Sequence, residues 1–575
     1  MAKWQGNNID KETYLWSLYQ EGLNYQGALG IRHTIPTCID FYEGRQWPPA
    51  TENTKNMPRP VINIVKMICR SKKSSILSTP VKFLYKSYDS SADMDKLNSF
   101  SEFIQNELNQ EGLDKLAIDD GIKKGSYFFH YFWDKDAISQ FGRLEGGVRC
   151  EIIDPLNIFF ANPRELDEQK QKWILISTHL DASSIYELCD KEQYNTLKLL
   201  ENRDSTTSEA NKSNKVTLLT RYFRINGEVW CERATKYSIV NKPFKLSPSK
   251  DYLELLQNNN MERRASSIDQ HSTHTDKLDY LSKYNRRVSV AATLYPIVSG
   301  YYDKREGSIY GISEVEGLIP NQKAINFNIA MSLLNAQQCA WGKYIALPNA
   351  LKGQKITNSP GQVLIDHSGT GNGIKRMGEE SLSSVPISIS ETLLELTRSF
   401  TGSSELLSSD NLGSNMSGVA IAQLQAQAEV PIEELRSNFI EVKKKQGLVL
   451  AQFIRLYYYD KEFIRRKRDE KGRECEICDR FSSREYENTI FDVMVEATRG
   501  SRSSITSDIN LLNTCLQSGK ISLETYIKAY PEGAISNKSS ILKQIEAEKN
   551  SEIEHLRKEL ERCKSGKTVD PVSII

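Results

Sequence analysis

The sequence predicts an α+β protein, in which strands are concentrated in one region and helices lie on either side of it. Residues 126–240 are rich in β-branched and aromatic residues and are broken by turn signals, which favours strands. Residues 312–340 and 418–459 instead follow long helical patterns. Strands and helices in separate blocks, rather than in regular alternation, are typical of the α+β class.

The composition indicates a folded globular chain. Its 575 residues are enough for about three or four structural units. Hydrophobic residues make up 39% and charged residues 26%, a balance that argues against a disordered chain. The 75 basic and 74 acidic residues give a net charge of +1, which argues against a uniformly basic surface but is compatible with local DNA contacts.

The expected compartment is a reducing cytosol. The N-terminal residues lack the apolar segment of a signal peptide. No apolar run approaches the roughly 18 residues of a membrane span, so no membrane contact is expected. Ten dispersed cysteines favour free thiols over a disulfide framework.

The first 125 residues predict a proline-rich N-terminal region followed by two helices. Residues 1–60 are polar, and FYEGRQWPP (Phe41 to Pro49) predicts a turn at Gly44, because two consecutive prolines cannot continue a helix. Pro60 suits the start of a helix. Residues 94–123 carry a second apolar stripe at helical spacing.

Strand signals begin at Ser126. The aromatic run 126–134 and the alternating run that ends at Asp154-Pro155 predict two strands. Asn226-Gly227 between two β-rich runs is a strong hairpin signal. One helix is expected near 182–202, and the polar residues 248–287 predict an insertion.

The second half predicts two helices around a small β segment, and then a very long helix. Residues 341–385 contain short strands between turns rich in Gly, Pro and Ser. Residues 401–417 predict a loop, because they are rich in Gly, Ser and Asn and contain no Lys or Arg. Ser417 suits the N-cap of the long helix, which Pro431 should kink. A strand is expected at 491–497 and mainly helix in 501–575.

Motifs of enzymatic chemistry are weak or missing. There is no GxxxxGK[ST] loop, and the glycines of 369–373 are not followed by a helix, so a turn is the favoured interpretation. Cys475 and Cys478 lack the second pair that zinc sites need, and His271 and His274 lie in a polar segment. We therefore predict a non-enzymatic protein with no catalytic residues, no metal and no cofactor.

Two basic runs are candidates for phosphate contacts, although a solvated helix face is the simpler interpretation of each. The first run is 443–445. The second is the better candidate for contact with DNA phosphates, because it is predicted to end the long helix and follows three tyrosines. It comprises Arg465, Arg466, Lys467 and Arg468.

Motifs in a particular order resemble one known family. FYEGRQW is followed by RPVINIVKMICR, then by IIDPLNIFFANP, and later by Ser417-Gly418-Val-Ala-Ile421. Between them, the start of the helix at 312 carries Tyr310, Gly311, Ser313, Val315, Leu318, Gln322 and Asn326. Over about residues 40–460 this pattern resembles the portal proteins of tailed bacteriophages, the head-to-tail connectors of SPP-type and podovirus-like phages.

The resemblance implies a portal fold with named parts. Residues 1–310 form the N-terminal part of a mixed α/β wing, with the polar insertion at about 248–287. Residues 311–340 and 386–400 form the two stem helices, and 341–385 between them form a small β-containing clip. Residues 401–417 form the tunnel loop, 418–500 the long kinked helix and the return to the wing, and 501–575 a helical crown.

The resemblance also implies three sets of site residues. The tunnel loop would face DNA through Ser403, Ser404, Glu405, Ser408, Asp410, Asn411 and Asn415. The stem would meet neighbouring subunits through Ile312, Val315, Ile319, Phe327 and Leu334. The clip would contact terminase or an adaptor through Lys343, Tyr344, Lys352, Lys355 and Asp366.

The implied function is that of a ring of twelve subunits at one capsid vertex of the virion, assembled in the host bacterial cytoplasm. Double-stranded DNA would pass through its channel during packaging and ejection. The implied partners are the terminase large subunit, a head–tail adaptor, and the major capsid and scaffolding proteins. Two alternatives stay open: a metal-dependent DNA-processing enzyme with a site at 269–276 or 475–478, and a cytosolic helical scaffold or adaptor.

Overall fold

The computed structural model describes most of the chain. The described residues are 12–77, 81–87, 93–138, 146–189, 193–194, 197, 215–248, 291–340, 344–357, 363–369, 372–376, 385–400, 418–458, 461–468, 474–486, 489, 491–497, 511–530 and a few residues between 541 and 560. Helix accounts for 49% and strand for 24% of the structure, which confirms the α+β prediction.

Three helices begin the fold: α1 (Tyr14–Leu29), α2 (Ile31–Glu43) and α3 (Ile64–Leu77). Gly30 separates α1 from α2 in the left-handed conformation (φ 81°) that favours glycine. The sequence patterns do not predict α1 and α2, because Pro36 lies inside α2 and polar residues interrupt the apolar periodicity. Tertiary packing of Trp16, Ile35 and Phe41 stabilises both helices.

The next elements are strand β1 (Val81–Ser87) and helices α4 (Met94–Glu107) and α5 (Gln110–Lys124). The Asp93 side chain caps α4 by accepting a hydrogen bond from Lys96 N (3.0 Å). The helical prediction for 94–123 is confirmed as two helices, with Asn109 (φ 50°) at their junction.

Two antiparallel sheets follow. The three-stranded sheet has the order β3-β2-β9, with β2 at Ser126–Asp134, β3 at Gly147–Ile153 and β9 at Ile297–Tyr301. The five-stranded sheet has the order β4-β5-β6-β7-β8, and its strands are Ile158–Phe160, Trp173–Asp181, Lys215–Ile225, Glu228–Ala234 and Ile239–Lys245.

Two turn and helix predictions for this sheet region are confirmed. Asn226 and Gly227, both with positive φ, form the predicted hairpin between β6 and β7. One helix was expected near 182–202, and helix α6 (Ala182–Leu188) confirms the first part of that range but ends at Leu188. The predicted insertion at 248–287 lies almost entirely outside the described residues.

The second half contains the predicted pair of helices around a small sheet. Helix α7 spans Glu314–Ala340 and α8 spans Val385–Phe400. Between them β10 (Tyr344–Ala346) pairs with β11 (Ile374–Arg376). The long helix α9 (Gly418–Tyr457) is also confirmed, and it continues through Pro431, where the expected kink stays a prediction.

The chain then returns through a hairpin to its N-terminal half. Strands β12 (Lys461–Arg468) and β13 (Glu474–Phe481) pair with each other, and β14 (Phe491–Ala497) pairs with β1. A short helix, α10 (Leu523–Ala529), is capped by Ser522.

The prediction that the second basic run ends the long helix is wrong. Helix α9 ends at Tyr457, and Arg465–Arg468 belongs to β12. Glu476 and Glu474 on β13 lie directly opposite Arg466 and Arg468. Opposite charges at facing positions favour the strand pairing.

The largest hydrophobic core lies where α3, α4, α5, α7 and α9 meet the three-stranded sheet. Lys443 of α9 is buried in this region and forms an ion pair with Asp114 of α5. Lys445 pairs with the buried Glu168 (2.9 Å). Two of the three lysines in the first basic run therefore form intrachain ion pairs, and Lys444 between them is exposed.

Candidate functional site

A buried hydrogen-bond network joins the first half of α7 to two distant segments. Asn326 Nδ2 donates to Gln46 Oε1 (2.6 Å). Gln322 Nε2 donates to Ile62 O (2.7 Å) and to Asn326 Oδ1 (3.0 Å). The three amide side chains are all buried. A buried amide without hydrogen-bond partners destabilises a fold, so these bonds favour one position of α7 relative to residues 46 and 62.

Gln322 also caps another helix. Its Oε1 accepts hydrogen bonds from the backbone N of Ile64 (3.1 Å) and Val65 (3.3 Å). The first amides of a helix have no partner within that helix, so a side chain of α7 satisfies the N-terminus of α3. Asn63 Oδ1 accepts the next one, from Lys66 N (2.9 Å).

Tyr310 and Gly311 anchor the start of α7 to the sheets. The buried Tyr310 hydroxyl donates to Ile158 O (2.6 Å), and burial raises the pKa of this phenol. Gly311 N donates to Ser126 Oγ (2.6 Å). A Cβ on Gly311 would lie only 2.4 Å from Gly125 O, so the two backbones can approach this closely only if the position is glycine.

Ion pairs surround the first turn of α7. Glu314 pairs with Lys72 of α3 (2.7 Å) and accepts a hydrogen bond from the Tyr302 hydroxyl (3.0 Å). Glu316 pairs with Arg305 (3.1 Å). Burial and then the Glu314 charge raise the pKa of Tyr302. Carboxylates in the first turn also interact favourably with the helix dipole, so this end of α7 is firmly placed.

Helix α8 packs along α7 in the antiparallel direction. Asn321 Nδ2 donates to Thr397 Oγ1 (3.2 Å). The first half of α7 and the last half of α8 pack against the main core through Ile319, Leu393 and Leu394. Away from the core both helices leave apolar side chains exposed: Phe327, Met331, Leu333, Val385, Ile387 and Ile389.

The family model described as Phage P22-like portal protein matches residues 30–495, which include α2 to α9 and every residue of the buried network around Gln322. The chain belongs to the P22-like portal protein family. A comparison with curated proteins gives no match. The portal family consists of structural, non-enzymatic connectors, and membership implies an oligomeric ring at the capsid vertex of a phage particle.

The five residues predicted to lie between portal subunits occupy different environments. Val315 has 0% exposure and belongs to the main core. The first turns of α7 pack against α2, α3 and α5, so Val315 has no surface to offer a neighbour, which corrects the prediction for this position. Ile312, Ile319 and Leu334 are partly buried and Phe327 is 51% exposed, and for these four the intersubunit role stays a prediction.

All five residues predicted for the clip lie between α7 and α8, and four of them belong to the described residues. Tyr344 on β10 is exposed, as are Lys352 and Lys355 in the following turn. Asp366 accepts hydrogen bonds from the backbone N of Ser368 and Gly373 (2.8 Å each). Hydrogen bonds from Ser368 and Gly373 lower the pKa of Asp366, which therefore holds a turn.

Several predicted portal positions lie outside the described part of the chain. Lys343 is one, and the predicted tunnel loop, 401–417, is another, with Ser403, Ser404, Glu405, Ser408, Asp410, Asn411 and Asn415. The backbone of Arg465, Arg466, Lys467 and Arg468 is placed on β12, but their side chains are outside the described residues. Their contact with DNA phosphates stays a prediction.

The metal-site alternative gains no support. In the part of the chain that the structure describes, no three His, Cys, Asp or Glu residues are grouped so as to hold a metal ion. Cys475 and Cys478 lie on β13, and positions three apart on a strand fall on opposite faces. The histidines of 269–276 are outside the described residues. Among the helices of the described ranges, none has the length and apolar character needed to span a membrane.

The contacts of Gln46, Gln322 and Asn326 were not predicted, although all three lie in the motifs that carry the family resemblance. The usable signal was the spacing of Gln322 and Asn326, four residues apart on a helix with little charge. Amides on the buried face of a helix need partners from elsewhere in the fold. That signal indicates a network but does not identify Gln46 as the partner.

Proposed function

We propose that this portal protein forms a closed ring at one capsid vertex and that double-stranded DNA passes through the ring during packaging and ejection. The single observation that carries the proposal is the portal family match over residues 30–495. The family ring has twelve subunits, and we propose the same number here.

The exposed apolar side chains of α7 and α8 support assembly through this pair of helices. A lone chain that exposes Phe327, Met331 and Ile389 on neighbouring helices has apolar surface that association can bury. In a ring each copy uses two different surfaces, because contacts repeat head to tail until they close. We therefore propose α7 and α8 as the stem.

The remaining parts follow from the order of elements. Residues 1–310 and 418–500 form the wing, 341–385 the clip between the stem helices, 401–417 the tunnel loop, and 501–575 the crown. The clip segment exposes apolar residues that a docking partner could cover: Tyr344, Ile345, Leu347, Val363 and Ile365. We propose that the terminase large subunit binds here during packaging and that a head–tail adaptor binds here afterwards.

The proposed channel surface avoids strong binding to DNA. From Ser399 to Leu435 the sequence contains no Lys or Arg. Each phosphate that a basic side chain neutralises adds salt-dependent affinity, which would slow a duplex that must move. The Ser and Asn side chains of the tunnel loop offer weaker contacts. The wing and crown would meet the major capsid and scaffolding proteins during assembly in the host cytoplasm.

Electron microscopy of the purified chain, with its mass from light scattering, tests the proposal. We expect rings of about twelve copies with a hole wide enough for a DNA duplex. Particles of one or two chains over the whole accessible concentration range would contradict it and would favour a helical scaffold or adaptor instead.

A further inference from the structure

Two opposite charges on α7 and α8 are exposed and lack ion-pair partners among the described residues of their own chain. Lys323 of α7 is exposed, and its Nζ lies 5.5 Å from the centroid of the Phe41 ring. Glu395 of α8 is also exposed. In contrast, Glu314 and Glu316 near the start of α7 both have intrachain cation partners.

Lys323 and Glu395 lie at the same level along the helix pair. The Asn321–Thr397 hydrogen bond marks one level of the α7–α8 contact. Lys323 follows Asn321 by two residues, and Glu395 precedes Thr397 by two. Because the helices are antiparallel, both steps lead in the same direction by about 3 Å.

Lys323 and Glu395 also lie on opposite outer sides of the helix pair. Two residues along an α-helix correspond to a rotation of about 200°. Asn321 faces α8, so Lys323 lies on the side of α7 away from α8. By the same rotation, Glu395 lies on the side of α8 away from α7. The exposure of both residues agrees with this placement.

Ring symmetry brings such a pair of surfaces together. In a ring, each copy contacts one neighbour through one side and the other neighbour through the opposite side. Rotation about the ring axis keeps the level of every residue, so a stem that runs along the axis brings surfaces of equal level into contact. We propose that Lys323 of each chain pairs with Glu395 of the next chain and sets the register of neighbouring stems.

This inference rests on the proposed function, because it needs a ring. Exposed apolar residues further along the two helices are compatible with the same alignment of neighbouring stems. Phe327, one turn after Lys323, is exposed beside it, and Met331 of α7 and Ile387 of α8 are both exposed further along. An ion pair at the edge of an apolar contact mainly selects the correct alignment, because a misaligned contact would leave charges unpaired or place like charges together.

A charge-swap experiment on the full-length chain tests the pair. We expect Lys323→Glu and Glu395→Lys each to raise the concentration at which half of the chains are in rings by at least about tenfold, since each creates a like-charge contact at every interface. The double variant should restore assembly to near the wild-type concentration. Sedimentation velocity measures the ring fraction, and circular dichroism checks that each variant folds.

Two controls make the result specific. Lys135→Glu changes an exposed charge in the turn after β2, far along the chain from both helices, and should leave assembly unchanged. Glu391→Lys reverses the same charge one turn away on α8, about 6 Å along the helix, and should not rescue Lys323→Glu. Rescue by Glu391→Lys as complete as that by Glu395→Lys would overturn the proposed register.

The outcomes separate this inference from the proposed function. Wild-type rings together with single reversals that assemble normally would overturn the Lys323–Glu395 pair and leave the portal ring intact. Wild-type chains that never form rings would overturn both. Weaker ring assembly in both single variants, together with near-wild-type assembly in the double variant, would support the Lys323–Glu395 pair.

Discussion

Gln322 Nε2 donates a 2.7 Å hydrogen bond to Ile62 O across 260 residues of sequence. The same side chain accepts from the backbone N of Ile64 and Val65, so one amide both holds α7 in place and caps α3. This arrangement places the start of the proposed stem on the core of the proposed wing. A change at this position should affect the fold itself before it affects assembly.

Gln322→Ala should lower the free energy of unfolding by about 2–3 kcal/mol, because it removes the Gln322 acceptor of Ile64 N and Val65 N and the Gln322 donor to Ile62 O and Asn326 Oδ1 in a buried site. Urea denaturation followed by circular dichroism measures the change. Gln20→Ala, at an exposed position of α1, is the matched control and should change the free energy by less than about 0.5 kcal/mol. Equal effects of the two substitutions would show that the network adds no stability.

Gly311→Ala and Gly317→Ala should have opposite effects on stability. The Cβ at position 311 would lie 2.4 Å from the Gly125 carbonyl oxygen. Relief of this clash would require the main chain at Gly125 to move, so alanine should destabilise the fold. Gly317 lies within α7 with open space around it, so alanine should stabilise the helix by up to about 1 kcal/mol. Thermal unfolding of both variants checks the sign, and a stable Gly311→Ala protein would contradict the close approach of the two backbones.

Val315→Ala and Phe327→Ser should separate folding from assembly. Val315 is completely buried within its own chain, so its truncation should cost about 2 kcal/mol of unfolding free energy. Phe327 is half exposed, and its replacement should leave the unfolding of the single chain almost unchanged but reduce ring formation. Denaturation and light scattering on each variant distinguish these effects. A Phe327→Ser protein that forms rings as readily as the wild type would remove Phe327 from the interface.

Glu151 should make one identifiable contribution to the acid sensitivity of the fold. Its carboxylate is 2.8 Å from His130 Nδ1, and this hydrogen bond lowers the pKa of Glu151. A lowered pKa means that the stabilisation is present above the pKa of the unfolded chain and is lost as pH falls through the pKa of the folded protein. Glu151→Gln should therefore lose stability near neutral pH and show a flatter melting-temperature profile below about pH 5.

The control for that profile is Glu21→Gln, at an exposed position of α1, which should keep the wild-type shape. If Glu151→Gln and the wild type lost stability in parallel on acidification, the His130–Glu151 bond would not contribute to the pH dependence.

Asn411→Lys or Ser408→Lys should slow DNA packaging or ejection. Each substitution places a cation in a stretch that has no Lys or Arg, and added phosphate contacts would resist the moving duplex. Asn411→Gln keeps the polarity without the charge and is the control. The rate of packaging in an assembly reaction is the measurement. Unchanged rates with lysine would show that the absence of basic residues from 401–417 has no bearing on transport.

Sequence patterns predicted those helices and turns that depend mainly on their own residues. The Asn226-Gly227 hairpin is an example, because positive φ at both residues is a local preference. The two helices around a small β segment and the long helix α9 are others, because each extends over enough residues to show a period. The order of short motifs was enough to indicate the portal family, which the family match confirms.

Patterns failed where distant residues decide the local structure. The run Arg465–Arg468 resembled a helix terminus but forms a strand, because β13 supplies the opposite strand and the facing glutamates. Helices α1 and α2 were not predicted, because contacts with the sheets outweigh their weak periodicity. Val315 and Phe327 looked equivalent on the α7 stripe, yet one is in the core and the other is exposed.

The sequence by itself therefore determined the class of fold, the pair of helices around a small β segment with the long helix after them, and the family, since these depend on residue types and their spacing along the chain. Only the tertiary structure decided which side of α7 faces its own core, that Gln322 caps α3, and that Lys323 and Glu395 lie at one level on opposite sides of the helix pair. Apolar periodicity indicates that one side of a helix is buried, but it does not identify what packs against that side. Those neighbours come from segments hundreds of residues away, and their positions are set only when the whole chain packs.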